Sequence, residues 1–191
     1  MCYFLYNKEE ILYKMNQESS LQDKIKLLQE QYYKENKKNT IFKSSQKLDC
    51  AKHVTDQIPL ENLLDKTFIL DEKTNKIYCD YKVFKTFANP SNYEAIVQYC
   101  IKQATEKGQV HGSYEIHANL DTFTITAAQR HSEIIKVFCS RCLKKDEVLY
   151  QYLDKLYLYK YPSMIHTIHK LFSPFMDKDA MQKIVLVDER T

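Results

Sequence analysis

The clearest pattern of apolar and polar positions begins at Tyr114. Ile116, Ala118 and Leu120 alternate with His117 and Asn119, the period-two signature of a strand with one buried face. The period then lengthens. Ala127, Ala128, His131, Ile134, Ile135, Phe138, Cys139 and Cys142 fall within one arc of a helical wheel, and Arg130, Glu133, Lys136, Arg141 and Lys144 fill the rest. Thr126 and Gln129 read as a capping box at the start of that helix. A strand follows over 153–159, ended by Pro162, and a second helix starts at Ser163. Met164, Ile165, Ile168, Leu171, Phe172 and Phe175 lie on one face of it, and Pro174 ends or kinks it. The run Lys183-Ile184-Val185-Leu186-Val187 reads as a final strand covered on both faces. Strand, helix, strand, helix, strand with connections too long for hairpins predicts a parallel βαβαβ core over about 114–188.

The preceding residues read as N-terminal helices and a β-hairpin, giving an α/β chain with a mixed sheet. A helical pattern covers 8–37: Ile11, Leu12 and Met15 form one short apolar face, then Leu21, Ile25, Leu28 and Tyr32 form a second stripe, with Ser20 and Asp23 as its start signal. Residues 40–65 are weakly patterned, and Gln57-Ile58-Pro59 breaks any helix there. Thr67–Leu70 and Lys76–Tyr81 are rich in strand formers around the turn-forming stretch Asp71 to Asn75. After the turn Asn89-Pro90-Ser91-Asn92, the residues Ala95, Ile96, Tyr99, Cys100 and Gln103 mark a helix closed by Gly108. The division expected is a helical segment over 1–60 and an α/β domain over 61–191.

Composition narrows the function classes. Hydrophobic residues are 44% of the 191, enough for a real core. The 28 basic and 25 acidic side chains nearly balance, so composition gives no basis for nucleic-acid binding. The two glycines, Gly108 and Gly112, stand in no phosphate-loop pattern. Lys8, Glu9, Glu10 and Lys14 interrupt the first residues, so no secretory signal is read there, and the six cysteines are expected to be reduced in a cytoplasmic compartment.

Candidate chemistry is sparse. Cys139 and Cys142 have C-x-x-C spacing, and His166 and His169 have H-x-x-H spacing, which together suggest a Cys2His2 metal site. Both cysteines fall on an apolar helix face, where a thiol behaves as a small hydrophobe, so neither metal nor cofactor is expected. His131 has two readings: a core histidine bonded to a backbone carbonyl, or a polar group lining an apolar pocket. No nucleophile elbow or carboxylate pair accompanies it, so no enzyme is expected.

The stretches Leu156-Tyr157-Leu158-Tyr159-Lys160-Tyr161-Pro162, Met164-Ile165, Leu171-Phe172-Ser173-Pro174-Phe175-Met176-Asp177 and Gln182-Lys183-Ile184-Val185, with Asn119-Leu120-Asp121-Thr122-Phe123-Thr124 before them, resemble the Sec14-like (CRAL-TRIO) lipid-binding domain. The resemblance spans about 110–188. It implies a pocket floored by the sheet and gated by a helix over 163–172, holding a phospholipid or other hydrophobic small molecule, with contact to a membrane surface. On that reading Ile116, Ala118, His131, Phe138, Met164, Ile168, Phe172 and Phe175 line the pocket, and Lys183 meets an anionic headgroup. This chain departs from the family pattern at three places. Gln151 stands where the acidic partner of that lysine is expected, Lys160 replaces an Asn and Thr122 replaces a Gly. Family members continue with a further strand and helices after the Lys-Ile strand, so a shortened fold completed by a protein partner is also expected. The alternative is a protein-interaction or structural module, for example a viral component, on a ligand-free scaffold of this kind.

Overall fold

The structure, a computed structural model, describes residues 20–37, 39 and 41–187. The expected helical face of Ile11, Leu12 and Met15, and the end of the core at Asp188, lie outside these residues.

Three helices open the described chain: α1 (Leu21–Glu35), α2 (Lys43–Thr55) and α3 (Leu60–Thr67). α1 begins as its sequence indicates. The Ser20 hydroxyl accepts from the Asp23 backbone N–H at 3.3 Å and donates to the Asp23 carboxylate at 2.7 Å. Ile25 and Leu28 bury its apolar stripe. α2 lies in the weakly patterned stretch, and of its own residues only Cys50, Ala51 and Val54 are buried. That stripe is too narrow for periodicity to reveal against the nine polar residues of the helix.

A five-stranded sheet follows, composed of β1 (Phe68–Leu70), β2 (Lys76–Asp80), β3 (Tyr114–Asn119), β4 (Leu153–Tyr159) and β5 (Ile184–Val187), in that spatial order. β1 and β2 form the expected antiparallel hairpin, and β2 to β5 run parallel. The intervening helices are α4 (Tyr81–Phe87) and α5 (Tyr93–His111) after β2, α6 (Ile125–Arg130), α7 (Ser132–Cys142) and α8 (Val148–Tyr152) after β3, and α9 (Ile165–Phe172) after β4, with 3-10 turns at Ser173–Phe175 and Lys178–Lys183.

Parallel strands in chain order, joined by right-handed crossovers, take all their helices on one side. Ile77, Cys79, Ile116, Ala118, Leu156, Leu158, Ile184 and Leu186 meet that helical layer. The other face carries a row of residues in register across all five strands: Ile69, Tyr78, His117, Tyr157 and Val185. Its rings stack on each other, with His117 4.7 Å from Tyr157 and 5.1 Å from Tyr78. The stack shields His117 to 9% exposure, while Tyr78 and Ile69 remain 39% and 53% exposed. β5 is an edge strand, and all four of its residues are half-buried. Among the described residues, neither face of this run is fully covered, where cover on both faces was expected.

Several local expectations are corrected. α5 ends at Gly112, not Gly108. Gly112 adopts the left-handed conformation at φ 77°, as a helix-ending glycine does. Gly108 lies inside the helix, where α8 crosses it. The cap ahead of α6 is Thr124, whose hydroxyl accepts from Ala127 N–H at 3.2 Å, and Thr126 lies within the helix. The single helix expected there breaks at His131 into α6 and α7. α9 starts at Ile165 with Met164 as its N-cap residue. Ile25, Leu28, Val54 and Leu63 share one apolar cluster with Phe87, Tyr93, Ile96 and Ile134.

Among the described residues, two other than glycine have positive φ: Thr122 at 66°, after β3, and Lys160 at 48°, after β4. A side chain at such a position costs about 1–2 kcal/mol. Thr122→Gly is therefore expected to raise unfolding stability by about 1 kcal/mol, read by urea denaturation. Gly108→Ala has the opposite sign. A Cβ there would meet Cγ and Cβ of Tyr152 at 2.5 and 2.8 Å, atoms too near the α8 backbone to move aside. That clash outweighs the roughly 1 kcal/mol gained in helix propensity, so a net loss of about 1–3 kcal/mol is expected in the same measurement.

Candidate functional site: an apolar cavity above the sheet

A cavity of about 460 Å³ lies between the helical layer and the sheet. Alternate residues of β2, β3, β4 and β5 make its floor. α5 supplies Ile96, Val97, Cys100, Ile101 and Ala104; α7 supplies Ile134, Ile135, Phe138, Cys139 and Cys142; α9 supplies Ile165, Ile168 and Phe172. Its volume is that of a small-molecule site, and its wall is almost wholly apolar. The polar or charged side chains of the wall are Gln103, His131, Arg141, His166 and His169.

Of the residues expected to line a pocket, Ile116, Ala118, His131, Phe138, Ile168 and Phe172 do so. Met164, Phe175 and Lys183 do not. Met164 is 48% exposed because it caps α9 from outside the helical stripe. Phe175 follows Pro174 into a 3-10 turn, which takes it off the α9 face, and the Lys136 ammonium lies 5.2 Å from its ring centre. Lys183 donates to the backbone carbonyls of Tyr150, at 3.1 Å, and Leu153, and lies 4.3 Å from the Tyr150 ring centre. Burial pulls its pKa down, against the nearby Asp154 carboxylate. Its role here is to tie the β4 entry to the segment before β5.

The α5 wall was not anticipated as part of a site. Its spacing of Ile96, Cys100 and Ala104 marks a buried helix face, but periodicity does not say what that face is buried against.

His131 sits at the break between α6 and α7, 1% exposed. Its backbone N–H donates to Ala127 and its carbonyl accepts from Ile135, so the helical ladder continues through the break and holds the ring in place. The partner of Nδ1 is the Tyr93 hydroxyl at 2.9 Å, where a backbone carbonyl was one expectation. Nε2 is buried with no hydrogen-bond partner. Phe84 and Tyr81 meet the ring edge-to-face at 5.3 and 6.4 Å. Burial, with the adjacent Arg130 charge, lowers its pKa to about 4, so the ring is neutral at pH 7.

The cysteines of the wall hold their protons. Burial pushes Cys79, Cys139 and Cys142 up to about 12 and Cys100 well above the ordinary value. Such thiols are inert nucleophiles. Cys139, Cys142, His166 and His169 all line the cavity, yet among the described residues no three His, Cys, Asp or Glu side chains are grouped to hold a metal. Among the same residues, no helix is long and apolar enough to cross a membrane.

The lowered histidine pKa has a pH signature. His131 takes up its proton near pH 6.5 when unfolded but near pH 4 when folded. The unfolded state therefore binds more protons between these values. Stability held above pH 6.5 is lost as pH falls toward 4, by on the order of 3 kcal/mol. Urea midpoints measured across that window should fall more steeply for the native chain than for His131→Phe.

No family model matches this chain, and no curated protein matches it.

Proposed function

We propose that the protein binds one lipid or other hydrophobic molecule in this cavity, as a non-enzymatic module of Sec14-like type. The observation that carries the reading is the cavity itself: about 460 Å³, walled by the sheet and the helices packed on it, with few polar groups. Burial of an acyl chain there contributes about 0.8 kcal/mol per methylene, and no bond need be made or broken. The gating role expected for α9 falls on Ile165, Ile168 and Phe172, which close the cavity from that side.

Backbone geometry supports the Sec14-like reading independently of the cavity. The family places Gly and Asn where this chain has Thr122 and Lys160. These are the two non-glycine residues with positive φ among those described. Gly and Asn are residue types that enter the left-handed region readily, so the backbone keeps the conformation after its usual residues have gone. Lys183 does not support a headgroup role, since its ammonium is occupied by backbone carbonyls. The reading is therefore of an apolar guest without an anionic contact at that lysine.

Native mass spectrometry of the full chain, purified from cells under mild conditions, tests this. The expected spectrum shows one co-purifying lipid per chain. Phe172→Trp gives a parallel measurement, because the chain has no other tryptophan. Its emission is expected to change on adding phosphatidylcholine liposomes as the cavity fills or empties. A clean ligand-free mass together with emission that ignores liposomes would sink the proposal. That outcome would favour the interaction-module alternative, for which the exposed Tyr78 and Ile69 on the other sheet face are the relevant feature.

A further inference from the structure

The corner between α1 and α2 carries two apolar side chains that stand outside both apolar clusters of the core. Ile41 is 80% exposed and Phe42 66%. Among the described residues they are the one pair of large apolar side chains exposed at adjacent positions. A single exposed apolar residue is ordinary, whereas a protruding pair asks what it meets. The chain around the pair also departs from the charge balance of the whole. Residues 34–47 hold five lysines, Lys34, Lys37, Lys38, Lys43 and Lys47, against one acid, Glu35, while the full chain has 28 basic and 25 acidic side chains. Lys34, Lys37, Lys43 and Lys47 are exposed.

The backbone of this corner is held by its own side chains. Asn39 Oδ1 accepts from the backbone N–H of Ile41 and from that of Phe42, both at 2.8 Å. Gln46 Oε1 accepts from Asn39 N–H at 2.8 Å, and Gln46 Nε2 donates to the Lys37 carbonyl at 3.0 Å. The Phe42 carbonyl accepts from Gln46 N–H at 3.1 Å and opens α2. The N–H groups at the tip therefore need no water, and moving them into a poorly hydrated layer leaves them paired. A pinned backbone also presents Ile41 and Phe42 with little further ordering to lose on contact.

An apolar pair flanked by lysines matches a surface that is anionic outside and apolar a few ångströms beneath, which is the headgroup layer of an anionic bilayer. A protein partner fits less well, because a stable interface takes about 800 Å² from each side, far more than two protruding side chains supply. Nucleic acid would engage the lysines through its phosphates but gives Ile41 nothing apolar to enter. We propose that the α1–α2 corner docks the protein on an anionic bilayer, with Ile41 and Phe42 entering the boundary between headgroups and acyl chains and Lys34, Lys37 and Lys43 meeting anionic headgroups. This contact does not depend on whether the cavity holds a guest.

The test sediments the full chain with vesicles of phosphatidylcholine alone and with vesicles of equimolar phosphatidylcholine and phosphatidylserine. Binding is expected to the phosphatidylserine vesicles and to weaken as salt rises. Lys37→Gln and Lys43→Gln are each expected to weaken it about fivefold, the scale of one lysine at an anionic surface. Ile41→Ser and Phe42→Ser, which leave the charge unchanged, are each expected to weaken it about tenfold. Phe42→Trp reports insertion directly, since the chain has no other tryptophan. Its emission is expected to shift to the blue on phosphatidylserine vesicles and to be quenched by lipids brominated on their acyl chains. No binding to phosphatidylserine vesicles, or equal binding to both kinds, overturns the proposal. Binding that follows the lysines but ignores both serine substitutions, with the tryptophan unquenched, also overturns it and marks the corner as a surface for soluble polyanions, against which heparin then competes. Binding that ignores all four substitutions overturns it by placing the contact elsewhere on the molecule. Circular dichroism of each variant confirms the fold. None of these outcomes alters whether a lipid co-purifies in the cavity, so the two readings fail separately.

Discussion

Four parallel strands laid side by side in chain order leave their crossovers one side of the sheet to occupy. Most features of this protein follow from that constraint. The helices between the strands crowd onto one face and bury it, and the apolar alternation of β2 to β5 is aimed there. The opposite face has no helix among the described residues. It protects itself with its own side chains, stacking Tyr78, His117 and Tyr157 along one row and bonding His117 to Glu115 and Tyr159. The N-terminal helices extend the helical layer. Phe87, Tyr93 and Ile96, on α4 and α5, pack into the same cluster as Ile25, Leu28 and Val54.

The cavity is the space that this crowded layer does not fill. Its chemistry is limited by burial more than by residue choice. Four cysteines and three histidines contribute to the wall, a set that elsewhere would supply nucleophiles or metal ligands. Burial keeps the thiols protonated, and the histidines and cysteines are spread around the wall without meeting in a cluster. The result is a mostly apolar wall with dispersed polar groups.

Strands and long helices were legible in the sequence because their periods are set by burial. Ile116 and Ala118 announced their face of β3, and Ile134, Phe138 and Cys142 announced theirs on α7. Short elements were not legible. α4 and α8 are seven and five residues long, too brief for a period to develop. The helix break at His131 has no Pro or Gly to signal it. The site was half legible for a related reason. A pattern names the buried face of an element but not the element opposite, so the floor and the α7 and α9 walls were found while the α5 wall was missed. Lys183 shows the same limit: a lysine beside a strand reads as a surface cation, and only the folded chain shows backbone carbonyls within its reach.

The sheet order β1-β2-β3-β4-β5 is also the order in which the strands leave the ribosome. No strand has to wait for a later one to slip between two partners already paired. After the local β1–β2 hairpin, each addition docks on a single existing edge, bringing its helices with it. Long-range parallel pairing is slow when distant segments must find each other. Here every parallel pairing joins segments that are consecutive in the list of strands, so the sheet can grow by one edge at a time during synthesis, with β5 the last of the five to dock.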